Sequence, residues 1–240
     1  MSIPLLTLAA FGTAVLSATF GMAGGLVLMG VYTAVLPVEA AMVLHGLTQL
    51  LANGLRAVVH ARKVAWRGVG LYAGGGAVAW MLLRAVAYVP DRATVYLLLG
   101  ILPFVVWVAP RTRWLSFSRP PAAALAGFVV VAVQLVAGVA GPILDLFFLA
   151  EGQDRHAVVG TKAATQTLSH LLKIGFFYAL VPPGSLGPDA VIAVLVGAAL
   201  GTAVGTRLLD RWSDQGFRTA TRRLVLGIGA IYLVMGLAAR

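Results

Sequence analysis

A stripe of four polar side chains, set in an otherwise apolar stretch and repeated 117 residues later, constrains this chain more than any other feature. The first copy reads His45, Gln49, Asn53, Arg56, and the second Lys162, Gln166, His170, Lys173. Both use the spacing 4, 4, 3. On a helix of 3.6 residues per turn this keeps the four side chains within about 80° of arc. Polar groups inside long apolar segments are costly and face a bundle interior or a water-filled cavity. The stripes therefore predict two inward-facing helices. Their cations point to an anion pathway.

The apolar setting fixes the class. With 60% hydrophobic and only 11% charged residues among 240, the chain falls far below the charge content of about a quarter usual in soluble domains. It reads as an all-α, polytopic integral membrane protein, a single transmembrane domain over 1–240. About eight apolar segments can be marked, roughly 3–35, 38–60, 67–88, 93–109, 121–150, 156–181, 187–208 and 219–238, against a bilayer requirement of about 20 residues each. Pro37, Pro90-Asp91, Pro110, Pro120-Pro121, Glu151 to Arg155 and Pro182-Pro183-Gly184 separate them. The stretch from Met1 to Phe20 has no basic n-region and reads as a retained first span.

A net charge of +10 does not indicate nucleic acid. The basic residues fall in short connections, Arg62, Lys63 and Arg67, then Arg111, Arg113 and Arg119, as topology signals do on cytoplasmic loops. Absence of cysteine removes disulfides, thiolate metal sites and persulfide chemistry. No HExxH, GxSxG or P-loop is present, so the sequence gives no enzyme, metal or cofactor expectation. A transporter of this kind draws on an ion gradient or on the substrate gradient itself.

The first and fifth segments are too long for one simple span, and each contains a glycine-rich break. These are Gly21-Met22-Ala23-Gly24-Gly25 and Gly138-Val139-Ala140-Gly141-Pro142. They align at the same 117-residue offset as the stripes, as do Thr48 with Thr165, Leu55 with Leu172 and Gly70 with Gly187. Duplication accounts for this, giving structural repeats 1–115 and 116–240 with Gly-broken first helices. Four spans per half favour parallel repeats. The basic residues, which gather near Arg67 in one half and at Arg207, Arg211 and Arg218 in the other, favour inverted ones.

Two half-helix starts, around Leu26 and Ile143, can present free N–H groups to an anion, although small-residue helix packing accounts for such breaks too. Arg56 and Lys173 supply positive charge. Gln49, Asn53, Gln166 and His170 supply neutral donors, and Gly24, Gly25 and Gly141 bring backbone close. His45, Asp145 and Lys162 are candidates for proton or ion-pair roles, with Asp145 able to pair with Lys162 or Lys173. Snorkelling of the off-centre cations and interhelical hydrogen bonding are the structural alternatives.

A Gly-rich break in the first span, a second helix ending in a basic cluster with Trp66-Arg67, a third with Gly74 to Gly76, and repetition of the plan resemble the sulfite exporter TauE/SafE family, also called the four-toluene sulfonate uptake permease family. Ala140-Gly141-Pro142 and Asp145 depart from its usual glycine run, and Ala65 stands where an acidic residue is usual. The resemblance implies transport of sulfite, sulfonates or related small organic anions, coupled to protons, across a bacterial or archaeal inner membrane. Lipids surround such a protein, and a homo-oligomer is compatible with it. An anion channel and a non-transporting membrane scaffold are the alternative functions.

Overall fold

The computed structural model describes residues 2–20, 23–109, 113–148, 154–209 and 214–240. Gly21, Met22, Pro110, Arg111, Glu151 and Arg211 lie outside them, as do the side chains of Arg113, Arg155 and Arg218. Among the described residues the chain forms ten α-helices: α1 Ile3–Phe20, α2 Ala23–Val35, α3 Val38–Val59, α4 Trp66–Ala85, α5 Arg92–Val108, α6 Pro120–Ala137, α7 Gly141–Leu146, α8 Arg155–Phe177, α9 Pro188–Leu209 and α10 Asp214–Ala238. The two long apolar segments each divide at their glycine break, into α1 with α2 and α6 with α7.

Neither break lets its helix continue along the same axis. Gly24 lies against the Thr13 carbonyl and Ser17 N of α1, so α2 returns alongside α1. A methyl group there would collide with backbone, which explains the glycine. At the second break, Gly138 takes φ +78°, a left-handed conformation that suits glycine after a helix. Its N–H donates to the Gln134 carbonyl. The chain then folds back through α7, and the Phe147 carbonyl accepts from Phe117 N at 2.8 Å, just before α6 begins. Each predicted half-helix therefore starts two or three residues early, at Ala23 and Gly141, and α7 is only 6 residues long.

Helix directions follow from neighbouring residues. In α3 and α8, Gly46 meets Ile174 and Gly160 meets His60, so the two run antiparallel. In α5 and α10, Gly100 meets Leu233 and Gly236 meets Leu97, again antiparallel. α1 runs parallel to α9, with Thr7 at Gly197 and Phe11 at Gly201. α4 runs parallel to α6, with Gly68 at Phe117 and Gly127 at Tyr72. α6 begins and ends 117 residues after α1, and α8 begins 117 residues after α3.

These directions gather one set of connections at one end of the bundle: the ends of α3, α5 and α9 and the starts of α4, α6, α8 and α10. Arg62, Lys63, Arg67, Arg119 and Arg207 are exposed there. Trp66, Trp107 and Trp114 are exposed there too, as in an aromatic belt. The opposite end carries the exposed Asp91 and Asp189 together with fewer basic residues, Arg84, Arg92 and Arg240, and with exposed Tyr88 and Tyr178. Between the ends, large apolar side chains face outward, including Met81 and Leu82 on α4, Ile192 and Val196 on α9, and Ile231 and Val234 on α10. An apolar exterior of this kind suits lipid. Among the described residues two helix stretches, Pro120–Ala137 and Pro188–Gly205, are by themselves long and apolar enough to cross a membrane. α3 and α8 reach about 33 Å at 1.5 Å per residue, but their polar stripes reduce their apolar content.

Local chemistry sets the helix ends. Asp91 caps α5 by accepting from Thr94 N at 2.7 Å, which holds its carboxyl below the usual carboxylate range. Asp154 caps α8 by accepting from His156 N at 3.0 Å and also accepts from Lys63 Nζ at 2.8 Å, tying α8's start to the α3–α4 connection. The Lys63 ammonium, then the His156 N–H, lower its carboxyl. α2 is clasped from outside, where Tyr232 of α10 donates to Leu26 O and Tyr96 of α5 donates to Gly30 O, both at 3.2 Å.

Candidate functional site

The antiparallel pairing of α3 and α8 turns the two stripes toward each other. The 4, 4, 3 spacing puts His45, Gln49, Asn53 and Arg56 on one face of α3, and all four line a cavity of about 230 Å³. Lys162, Gln166 and His170 line it from α8. α1 contributes Ala10, Thr13, Ala14 and Ser17, the breaks contribute Gly25 and Val139 to Pro142, and α9 contributes Ala198 and Thr202. The wall runs from Arg56 and Val158 near the basic end to His45 and His170 deeper in. Among the described residues none of its members comes from α3 before His45 or from α8 after His170.

The predicted residues do not all have the same place. Gln49 lies against Gly25. Asn53 donates to the Gln49 carbonyl at 3.0 Å and reaches Arg56 Nη1 with its Oδ1 at 3.5 Å. Arg56 is exposed at the mouth, whereas Asn53 is buried. Among the described residues the Gln166 side chain has no hydrogen-bond partner, and it lines the cavity half-buried. Gly24 packs on α1 and is not part of the wall. Asp145 is also outside the wall. It forms an ion pair with Lys162, resolving the two pairings the sequence allowed.

Lys173 departs most from expectation. Its side chain is fully buried, at 0% exposure, and it does not line the cavity. Its Nζ sits 2.8 Å from His45 Nδ1 and donates to Gly138 O at 2.9 Å. His45 Nε2 lies 3.0 Å from Gly25 O. A carbonyl only accepts, so Nε2 carries the proton and Nδ1 accepts from Lys173. A chain of hydrogen bonds thus runs from the first break, through His45 and Lys173, to the second. Helical spacing gave the face on which Lys173 lies, but neither its depth nor its partners.

Gln134 is the residue that sequence reasoning missed. It is buried in α6 and donates from Nε2 to His170 Nδ1 at 3.0 Å. A neutral imidazole that accepts at Nδ1 carries its proton on Nε2. His170 therefore keeps one N–H donor, on Nε2, while its ring lies 5.7 Å from that of His45. A signal was present: Gln134 is the one polar side chain in the run Val129 to Ala137.

The cavity therefore combines one exposed guanidinium, one paired ammonium and several neutral amide or imidazole donors, on a wall that otherwise carries the hydroxyls of Thr13, Ser17, Thr48 and Thr202 and small or apolar residues. Among the described residues no group of three or more His, Cys, Asp or Glu side chains could hold a metal ion. These groups can make reversible hydrogen bonds to an anion. Neither the curated proteins nor the solved structures provide a match to the chain. The family model described as sulfite exporter TauE/SafE matches residues 6–233, nearly the whole length, and the chain belongs to that family of integral membrane transporters of sulfur anions.

Proposed function

We propose that the chain is a secondary carrier for small sulfur-containing anions, sulfite, sulfonates or related organic anions, and that the α3–α8 cavity is its substrate site. The cavity carries this reading, because it joins donors from both stripes and both breaks in one place. Gln49, Asn53, Gln166 and His170 orient the oxyanion, Arg56 supplies charge at the mouth, and Gly25 and Gly141 let backbone approach. Lys173 acts from behind His45 by holding the two breaks together. His45, and the Asp145–Lys162 pair, are the groups available for proton coupling.

The basic end is the cytoplasmic face of the inner membrane by the bias of Lys and Arg toward cytoplasmic loops. The cavity in this conformation is then entered from the cytoplasm. Repeats 1–115 and 116–240 are inverted. Support comes from the 117-residue shift of α6 and α8 relative to α1 and α3, and from the antiparallel course of α3 with α8 and α5 with α10. Inverted repeats around a midplane site built at broken helices suit alternating access. A wall that stops at His45 and His170 favours a carrier over a continuous channel.

The test is flux of sulfite and of isethionate in proteoliposomes. Arg56→Ala, at an exposed position, is expected to abolish flux while the protein still folds. Wild-type flux in this variant would remove the site assignment.

A further inference from the structure

The cations along the cavity wall are not equivalent. Arg56 and Lys162 both line it, but Lys162 is in an ion pair with Asp145. Asp145 stands behind the wall rather than in it. No neighbour other than Lys162 serves its Oδ1 among the described residues. Among the described residues Arg56 has a neutral neighbour, the Asn53 Oδ1 at 3.5 Å, and no acidic one. The other acids with described side chains, Glu39, Asp91, Asp154 and Asp189, lie at helix starts and none lines the cavity. Lys173 is not in the wall, since His45 and Gly138 take its donors.

Among the described residues the wall thus presents one uncompensated positive charge beside neutral donors. A singly charged oxyanion matches it. A doubly charged one brings a second charge into a partly desolvated site with no free cation to meet it, which is costly. Small apolar side chains of Ala10, Ala14, Leu28 and Ala198 accept an uncharged organic tail and offer nothing to a second anionic group. Asp145 has no acidic counterpart at the 117-residue offset, where Leu28 stands.

We infer that Asp145 is a specificity-determining residue: by neutralising Lys162 it makes the cavity select singly charged sulfonates over doubly charged anions. This rests on the proposed anion-carrier function of the same cavity. Asp145 acts through Lys162 and does not touch the substrate, so it is a positioning residue whose effect is read in a ratio of affinities.

Isethionate and sulfoacetate test it. They share a sulfonate on a two-carbon skeleton, and at neutral pH the first carries one negative charge and the second two. Titration calorimetry on the purified full chain in detergent is expected to show isethionate binding about tenfold tighter or more, a difference of about 1.4 kcal/mol. Asp145→Asn frees the Lys162 ammonium and is expected to shift that ratio about tenfold toward sulfoacetate. Asp145→Asn combined with Lys162→Gln removes both charges and should bring the ratio back toward the wild-type value, while both affinities fall. Equal affinities in the wild type overturn the inference without any variant, and so does an unchanged ratio in folded Asp145→Asn. Absence of binding to isethionate, sulfoacetate and sulfite alike would instead overturn the carrier function, and this inference with it.

Discussion

Lys173→Met separates a structural role from a ligand-binding one. Methionine keeps most of the stem and removes the ammonium. Two acceptors then lose their donor: His45 Nδ1, now 2.8 Å from Nζ, and Gly138 O, at 2.9 Å. His45 cannot recover by changing tautomer, because its Nε2 proton is engaged by Gly25 O at 3.0 Å. Each orphaned buried acceptor costs about 1–3 kcal/mol, so the pair costs about 4 kcal/mol at the middle of that range. Burying an ammonium has its own desolvation penalty, and its removal can make such a substitution neutral or stabilising. Two short hydrogen bonds to acceptors without another donor favour net destabilisation, of about 3 kcal/mol. For a chain of this size that is about 6–12 °C in the unfolding midpoint. The assay is thermal unfolding of the purified protein in detergent, followed by tryptophan fluorescence, with Arg56→Gln in parallel. Arg56→Gln should leave the midpoint within about 1 °C, because exposed charges contribute little to stability. An unchanged or raised midpoint in Lys173→Met would refute the role assigned to the chain of bonds between the two breaks.

Three further outcomes follow from single contacts. Gln134→Leu removes the donor that fixes the His170 ring and should weaken isethionate binding about tenfold in titration calorimetry. Gly24→Ala places a methyl group against the Thr13 and Ser17 backbone and should lower stability by about 1–3 kcal/mol or more, read as a lower thermal midpoint. Asp91→Ala removes the cap of α5 and should cost about 1 kcal/mol at neutral pH. Because the folded Asp91 carboxyl lies below its ordinary value, that stabilisation is present above about pH 3.9 and is lost as pH falls through the folded value. The difference between wild type and Asp91→Ala should therefore narrow in acid, measured by thermal unfolding across pH.

Periodicity was enough to find the α3 face: all four residues of the first stripe line the cavity, and so do the first three of the second. It could not assign Lys173, whose face is set by spacing but whose depth depends on where α6 ends and Gly138 turns. The glycine breaks were visible as composition, yet a break does not say whether the chain continues or returns. That direction came from Gly24 meeting Thr13 and Ser17, and from Phe117 meeting Phe147. The short α7 was also illegible, because no proline or glycine follows Leu146 closely enough to mark its end. Gln134 could have been found, since a lone amide in an apolar run requires a partner. The pairing of Asp145 with Lys162 was one of two choices that sequence distance alone could not decide.

The central claim is that an anion binds between α3 and α8, with its oxygens on donors from both. The most direct measurement is the structure of the protein with 2-bromoethanesulfonate, using anomalous scattering from bromine to locate the tail. The expected result is a sulfonate within about 2.7–3.2 Å of donors from Gln49 and from Gln166 or His170, with the bromine on the apolar wall. Bromine signal elsewhere on the protein, with the cavity empty at saturating ligand, would contradict it.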